Sequence, residues 1–184
     1  MRKRRFILTG APGAGKTAVV RQLELEGFGV VEEAATDVIA LEQANCVAEP
    51  WTDPGFTDRI VALQRQRRLA AIGEVQFHDR SAFCTEALAT FLGHPLSDLL
   101  RSEIEELKRS GFYERRVFFL RLMGFIAATA ARRIGLEDAR RFEAVHERTL
   151  SCARLRAGLS RTGKRGRSGG RDPPPSRGPI PLAT

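Results

Sequence analysis

Apolar and polar positions along the chain follow two alternating rhythms. Compact apolar runs at residues 4–9 (RRFILT), 29–32, 74–78 and 116–122 (RVFFLRL) predict strands. Longer stretches with helical spacing lie between them, at residues 16–26, at 34 to about 43, at 56–72 and at 82–92. In the third of these, Phe56, Ile60, Leu63 and Leu69 recur at helical spacing. The segment EPWTDPGF predicts a loop, and Gly93 with Pro95 stops the fourth helix. Ser97 is placed to cap a fifth helix whose inner face is Leu100, Ile104 and Leu107. A last helix is expected at 137–149, with Ala139, Phe142 and Val145 facing inward. Strands alternating with helices of these lengths imply βαβ units and a parallel sheet.

Past Leu150 both rhythms stop. The last 34 residues hold 6 of the 17 glycines and 5 of the 9 prolines, with no apolar run longer than two. Such a stretch buries too little to offset about 1–2 kcal/mol of backbone entropy per ordered residue. The expected organisation is a domain over residues 1–150 and a disordered tail over 151–184. Charge divides at the same place: residues 1–150 carry 22 Lys+Arg against 21 Asp+Glu, and residues 151–184 carry 8 against 1. The net charge of +8 therefore belongs almost wholly to the tail, which carries +7, and this argues against nucleic acid as the partner of the folded part. No stretch approaches the roughly 18 apolar residues of a membrane span, and Phe6–Leu8 is too short for a signal sequence. A cytoplasmic protein with no membrane partner is expected. Cys46, Cys84 and Cys152 lack metal or disulfide spacing and read as small apolar fillers.

The chemistry concentrates at the first strand–helix junction. Gly10, Ala11, Pro12, Gly13, Ala14, Gly15, Lys16 and Thr17 satisfy G-x-x-x-x-G-K-[ST], the phosphate-binding loop. Converging backbone N–H groups need a tight curl, which glycine permits. The following helix turns its positive end toward the anion. Lys16 would add charge between the β- and γ-phosphates, and the Thr17 hydroxyl would ligate Mg²⁺. In VQFHDRS, Asp79 ends a strand as a candidate Walker-B-like carboxylate holding Mg²⁺ through water, while Arg80 is a candidate clamp for a transferred or acceptor phosphate. His78 reads as packing. Glu33, at the end of the second strand, is a candidate acceptor of the substrate hydroxyl's proton. Arg132 and Arg133 are candidate lid arginines.

Over residues 4–150 these pieces resemble the small phosphate-loop proteins grouped under the AAA-domain heading, close to the ribosylnicotinamide-kinase-like domain of the bacterial NAD regulator. FILTGAPGAGKT, EEAA, PWTDPGF followed by LQRQR, FHDRS, YERRVFFL and TAARRIGLEDARRFEAVHE carry the likeness. It implies an ATP site, with GTP as the alternative, and puts Lys16, Thr17, Asp79 and one of Arg132 and Arg133 in kinase-like positions. It also implies a glycine, a final strand and a closing helix after the HERT segment, where this chain continues LSCARLRAGLSRTGKRGRSGG instead. A frameshift near residue 150 would yield such a composition.

The expectation is thus an α/β fold, a phosphate-loop NTPase with three α/β/α layers and a kinase-like parallel sheet whose last strand is missing. The expected function is Mg²⁺-dependent phosphoryl transfer from ATP to a small nucleoside-like acceptor. The alternative is a nucleotide-dependent switch with little turnover.

Overall fold

The computed structural model describes residues 3–10, 12–121, 135–153 and 155–160, with side chains of 156–160 excepted. Among these, five strands form one parallel sheet in the order β2-β3-β1-β4-β5. They are β1 (Arg4–Gly10), β2 (Gly29–Val31), β3 (Val75–Asp79), β4 (Arg116–Leu120) and β5 (Arg156–Ser160). The helices are α1 (Lys16–Leu25), α2 (Ala35–Ala44), α3 (Phe56–Ala70), α4 (Ala82–Leu92), α5 (Asp98–Ser110) and α6 (Leu136–Cys152), with a 3-10 turn at Pro50–Thr52.

The fifth strand corrects the expectation of a sheet that stops at four. Residues Arg116 to Leu120 of β4 pair in register with Arg156 to Ser160. Backbone pairing needs no apolar run, so a segment of mixed composition can complete an edge that β4 supplies. Order therefore extends ten residues past the boundary expected at 150.

Period-two alternation in β1 assigns the two faces of the sheet. Phe6 shares one face with Phe77 and Phe118, whose ring centroids lie 5.4 and 5.5 Å away. Ile7 and Thr9 point the other way. There Ile7 joins Val61, Phe83, Leu100, Ile104, Leu107, Val117, Phe119 and Leu150 in the main core. A second cluster, Val38, Ile39, Trp51, Phe56, Ile60, Leu88, Phe91 and Phe142, knits α2, α3, α4 and α6 together. Ser97 caps α5 as expected, its Oγ accepting from the Leu100 amide at 3.1 Å. The inner face of α6 is Ala139, Phe142, His146 and Leu150, while Val145 is only half-buried. Of the cysteines, Cys84 is buried and Cys46 and Cys152 are exposed, which corrects the reading of all three as fillers.

Strand order reverses at β1, between β3 on one side and β4 on the other. In open α/β sheets ligands bind at the carboxyl ends of the strands beside such a reversal. The β1–α1 loop, the end of β2 and the end of β3 all meet there.

Candidate functional site

The site begins with a backbone approach that only glycine allows. At Gly10 φ is +148°, and a Cβ would lie 2.2 Å from the Leu120 carbonyl oxygen. The chain then curls through Gly13 and Gly15, both with φ above +80°, into α1. Gly15 is the cap residue, so no side chain accepts from the first turn of α1, and that turn contains no acid. Its amides therefore have no side-chain cap, and the helix's positive end lies behind them. Lys16, the first helical residue, turns inward and is only 9% exposed. Thr17, the next, is exposed.

Opposite the lysine stand two carboxylates and an arginine from strand ends distant in sequence. Asp79 ends β3, and its register partner Leu8 brings it level with the end of β1. Glu33 follows β2. Arg67 holds this turn, donating to the carbonyls of Glu32 and Glu33 at 3.2 and 2.6 Å and pairing with Asp37. Arg80 adopts φ +72°, a left-handed conformation that costs a non-glycine residue on the order of 1 kcal/mol. Its guanidinium is divided three ways. Nε donates to Glu33 Oε1, Nη2 donates to the Gly10 carbonyl at 3.1 Å, and Nη1 lies 3.5 Å from His146 Nε2. Thr36 Oγ1 donates to the other Glu33 oxygen at 3.1 Å.

These contacts set the electrostatics. Burial, aided by the Arg80 charge, pulls the Lys16 amine down to about 8 against the opposing pull of Glu33 and Asp79. Burial, with Glu33 as a second cause, pushes the Asp79 carboxyl up to about 6. Burial would also raise Glu33, but the charges of Arg80 and Lys16 and the bonds from Arg80 and Thr36 hold it below the usual range. Burial drives His146 well below its ordinary value, and the positive charges of Arg80 and Lys16 add to this. Asp79 Oδ1 is buried with no hydrogen-bond partner. An anionic oxygen left unpartnered beside an uncapped helix start suits a hard cation with oxygen ligands. Among the described residues no group of three or more His, Cys, Asp or Glu could hold a metal.

Of the residues singled out in the sequence, the structure gathers Gly10, Lys16, Glu33, Asp79 and Arg80 at one corner, with Pro12, Gly13, Ala14, Gly15 and Thr17 along the loop. Ala11, Arg132 and Arg133 lie outside the described residues. His78 is buried away from this corner, between Gln76 and Tyr113. Thr9, Cys84 and His146 were not anticipated. Only the helical spacing of Ala139, Phe142, His146 and Leu150 could have pointed to the histidine, by putting a polar ring on an apolar face.

An AAA-domain family model matches residues 5–159. No curated protein sequence matches. Among solved structures, the chain is similar to the NadR protein crystallised in complex with NR, at a TM-score of 0.58 and 16% identity. That alignment covers 88% of this chain and 48% of the other, so the chain spans about half the length of its structural relative. At this identity the likeness is one of fold. Among the described residues no helix is long and apolar enough to cross a membrane.

Proposed function

The chain belongs to the AAA-domain family, a phosphate-loop nucleotide-binding group, and from that membership we propose that it transfers the γ-phosphoryl group of ATP to a small nucleoside-like acceptor. One observation carries the reading. An uncapped helix start, an inward lysine and a carboxylate with an unpartnered oxygen converge beside the point where strand order reverses.

In this reading the loop amides from Gly10 to Thr17 and the Lys16 ammonium hold the β- and γ-phosphates. Asp79 and the Thr17 hydroxyl would hold Mg²⁺, which when bound neutralises phosphate charge. Glu33 receives the acceptor hydroxyl. Its lowered pKa suits holding that hydroxyl in line, with the proton moving only as the new O–P bond forms. Arg80 acts on the acceptor through Glu33, because three of its five N–H donors, one on each nitrogen, are engaged within the protein. Arg132 and Arg133 would cover the transferred group. The base is adenine, with guanine as the alternative.

The engagement of Arg80 and Glu33 with each other favours a second reading, a nucleotide-dependent switch that binds and turns over little. The two differ in acceptor dependence. We expect calorimetry to show Mg²⁺·ATP binding that Lys16→Ala abolishes, and ADP formation to rise when nucleosides are added. Slow ADP formation indifferent to every nucleoside would establish the switch. Absence of triphosphate binding by the wild type would remove both.

A further inference from the structure

The buried ring of His146 stands where three parts of the site meet, and its nitrogens are assigned by their neighbours. Nε2 lies 3.4 Å from Thr9 Oγ1 and 3.5 Å from Arg80 Nη1. An arginine nitrogen only donates, so Nε2 must present its lone pair and the ring proton sits on Nδ1. Thr9 fits this direction. Its hydroxyl accepts from Cys84 Sγ at 3.4 Å, which leaves its own proton for Nε2. The chain of bonds runs Cys84 to Thr9 to His146 and, from the other side, Arg80 to His146. The ring is clamped edge-on against Phe142, with centroids 4.6 Å apart. Nδ1, now a donor, is buried without a partner. A buried polar group left in that state costs about 1–3 kcal/mol. A purely space-filling position would be better served by an apolar ring.

We propose that His146 is a positioning residue: one lone pair braces Arg80 and Thr9, and through Arg80 fixes the Gly10 carbonyl and the Glu33 carboxylate. This role rests on the nucleotide reading for its purpose, though not for its geometry. Gly10 is the last residue before the loop, and its carbonyl receives Arg80 Nη2 at 3.1 Å. Rotation of that peptide would re-aim the amides that follow. Arg80 has no helical or strand hydrogen bonds to hold its left-handed backbone, apart from its amide bond to the Leu8 carbonyl at 2.9 Å. Its direction therefore depends on what its guanidinium touches. The ring stays neutral because burial and two nearby cations oppose its protonation, so the lone pair is always offered.

Three substitutions separate bracing from filling. His146→Phe keeps the ring and loses the acceptor. His146→Asn places its amide where Nδ1 stands, short of Arg80. His146→Gln reaches the Nε2 position with an acceptor oxygen. We expect the first two to lower Mg²⁺·ATP affinity about tenfold, as misplacement of a binding group by a fraction of an ångström does. Glutamine should stay within about threefold of wild type. In the nucleotide-free protein, the Arg80 Nε–H signal in ¹⁵N NMR should lose its exchange protection in the Phe and Asn variants and keep it in the Gln variant. An unchanged Arg80 signal in both, or a Gln variant as impaired as they are, overturns the proposal. If the wild type itself binds no Mg²⁺·ATP, the nucleotide reading fails and the Arg80 signal alone decides the brace.

Discussion

Strand β3 carries two polar clusters that differ in one respect. On the face of Gln76 and His78, every group has a partner. The Tyr113 hydroxyl lies 3.3 Å from His78 Nδ1, His78 Nε2 lies 3.3 Å from Gln76 Oε1, and Gln76 Nε2 donates to the Ala71 and Gly73 carbonyls at 3.3 and 3.1 Å. Amide, ring and phenol form one directed chain that closes on the backbone. At the carboxyl end of the strand, Asp79 keeps a buried oxygen with no partner, and Lys16 and Asp79 are displaced from their ordinary pKa values in opposite directions. Two buried polar sets in one five-residue strand thus play different parts. The closed one is satisfied within the fold, and the open one keeps an unpartnered carboxylate oxygen beside a buried lysine.

The sharpest way to break this contrast is Lys16→Ala. It should reduce Mg²⁺·ATP affinity at least 100-fold by calorimetry and leave the circular dichroism spectrum unchanged. Next is Asp79→Asn, which should remove the Mg²⁺ dependence of binding while stabilising the empty protein. The sign follows from its raised pKa. The folded state holds the Asp79 proton up to about pH 6 and the unfolded state releases it near 4. Stability is therefore lost as pH rises between those values, and the variant's gain, about 1–3 kcal/mol at pH 8, should vanish by pH 4. Equal melting temperatures at pH 8 would contradict the open-cluster reading.

The closed cluster should respond in the opposite manner. Tyr113→Phe strands a buried acceptor on His78 and should cost about 1–3 kcal/mol of stability in urea denaturation, with nucleotide affinity unchanged. The last test is a pH limb. Burial, helped by Arg5 and Arg68, lowers the His78 pKa to about 4, so the unfolded chain takes up a proton first as pH falls below about 6.5. Stability should decline between pH 6.5 and 4, and His78→Gln should flatten that decline. A variant with the same acid slope as wild type would mean that His78 is not the group responsible.

Much of this was legible wherever the signal is local. The β1–loop–α1 unit is a contiguous pattern, and the apolar spacing of α5 gives its buried face; in α3 the spacing finds Phe56 and Ile60, but Leu69 is 69% exposed, on the opposite side of the helix. The end of the sheet was not legible, because β5 is held by its pairing with β4 and shows no apolar rhythm of its own. His146 takes the inner position expected of Val145 for a related reason: periodicity ranks side chains by polarity and misses a polar ring whose partners, Thr9 and Arg80, lie far away in sequence. Arg80 shows the same limit. Its residue type suggested a clamp for phosphate, whereas its nearest partner is Glu33, 47 positions earlier. Contacts of that separation are written in the topology.

Strand β2 lies at one margin of the sheet and is three residues long, Gly29–Val31. A passing peptide could form only a couple of main-chain hydrogen bonds along so short a border, too few to offset the entropy of fixing it. That border is thus protected against unwanted zippering by brevity, without the lysines or prolines that longer borders need.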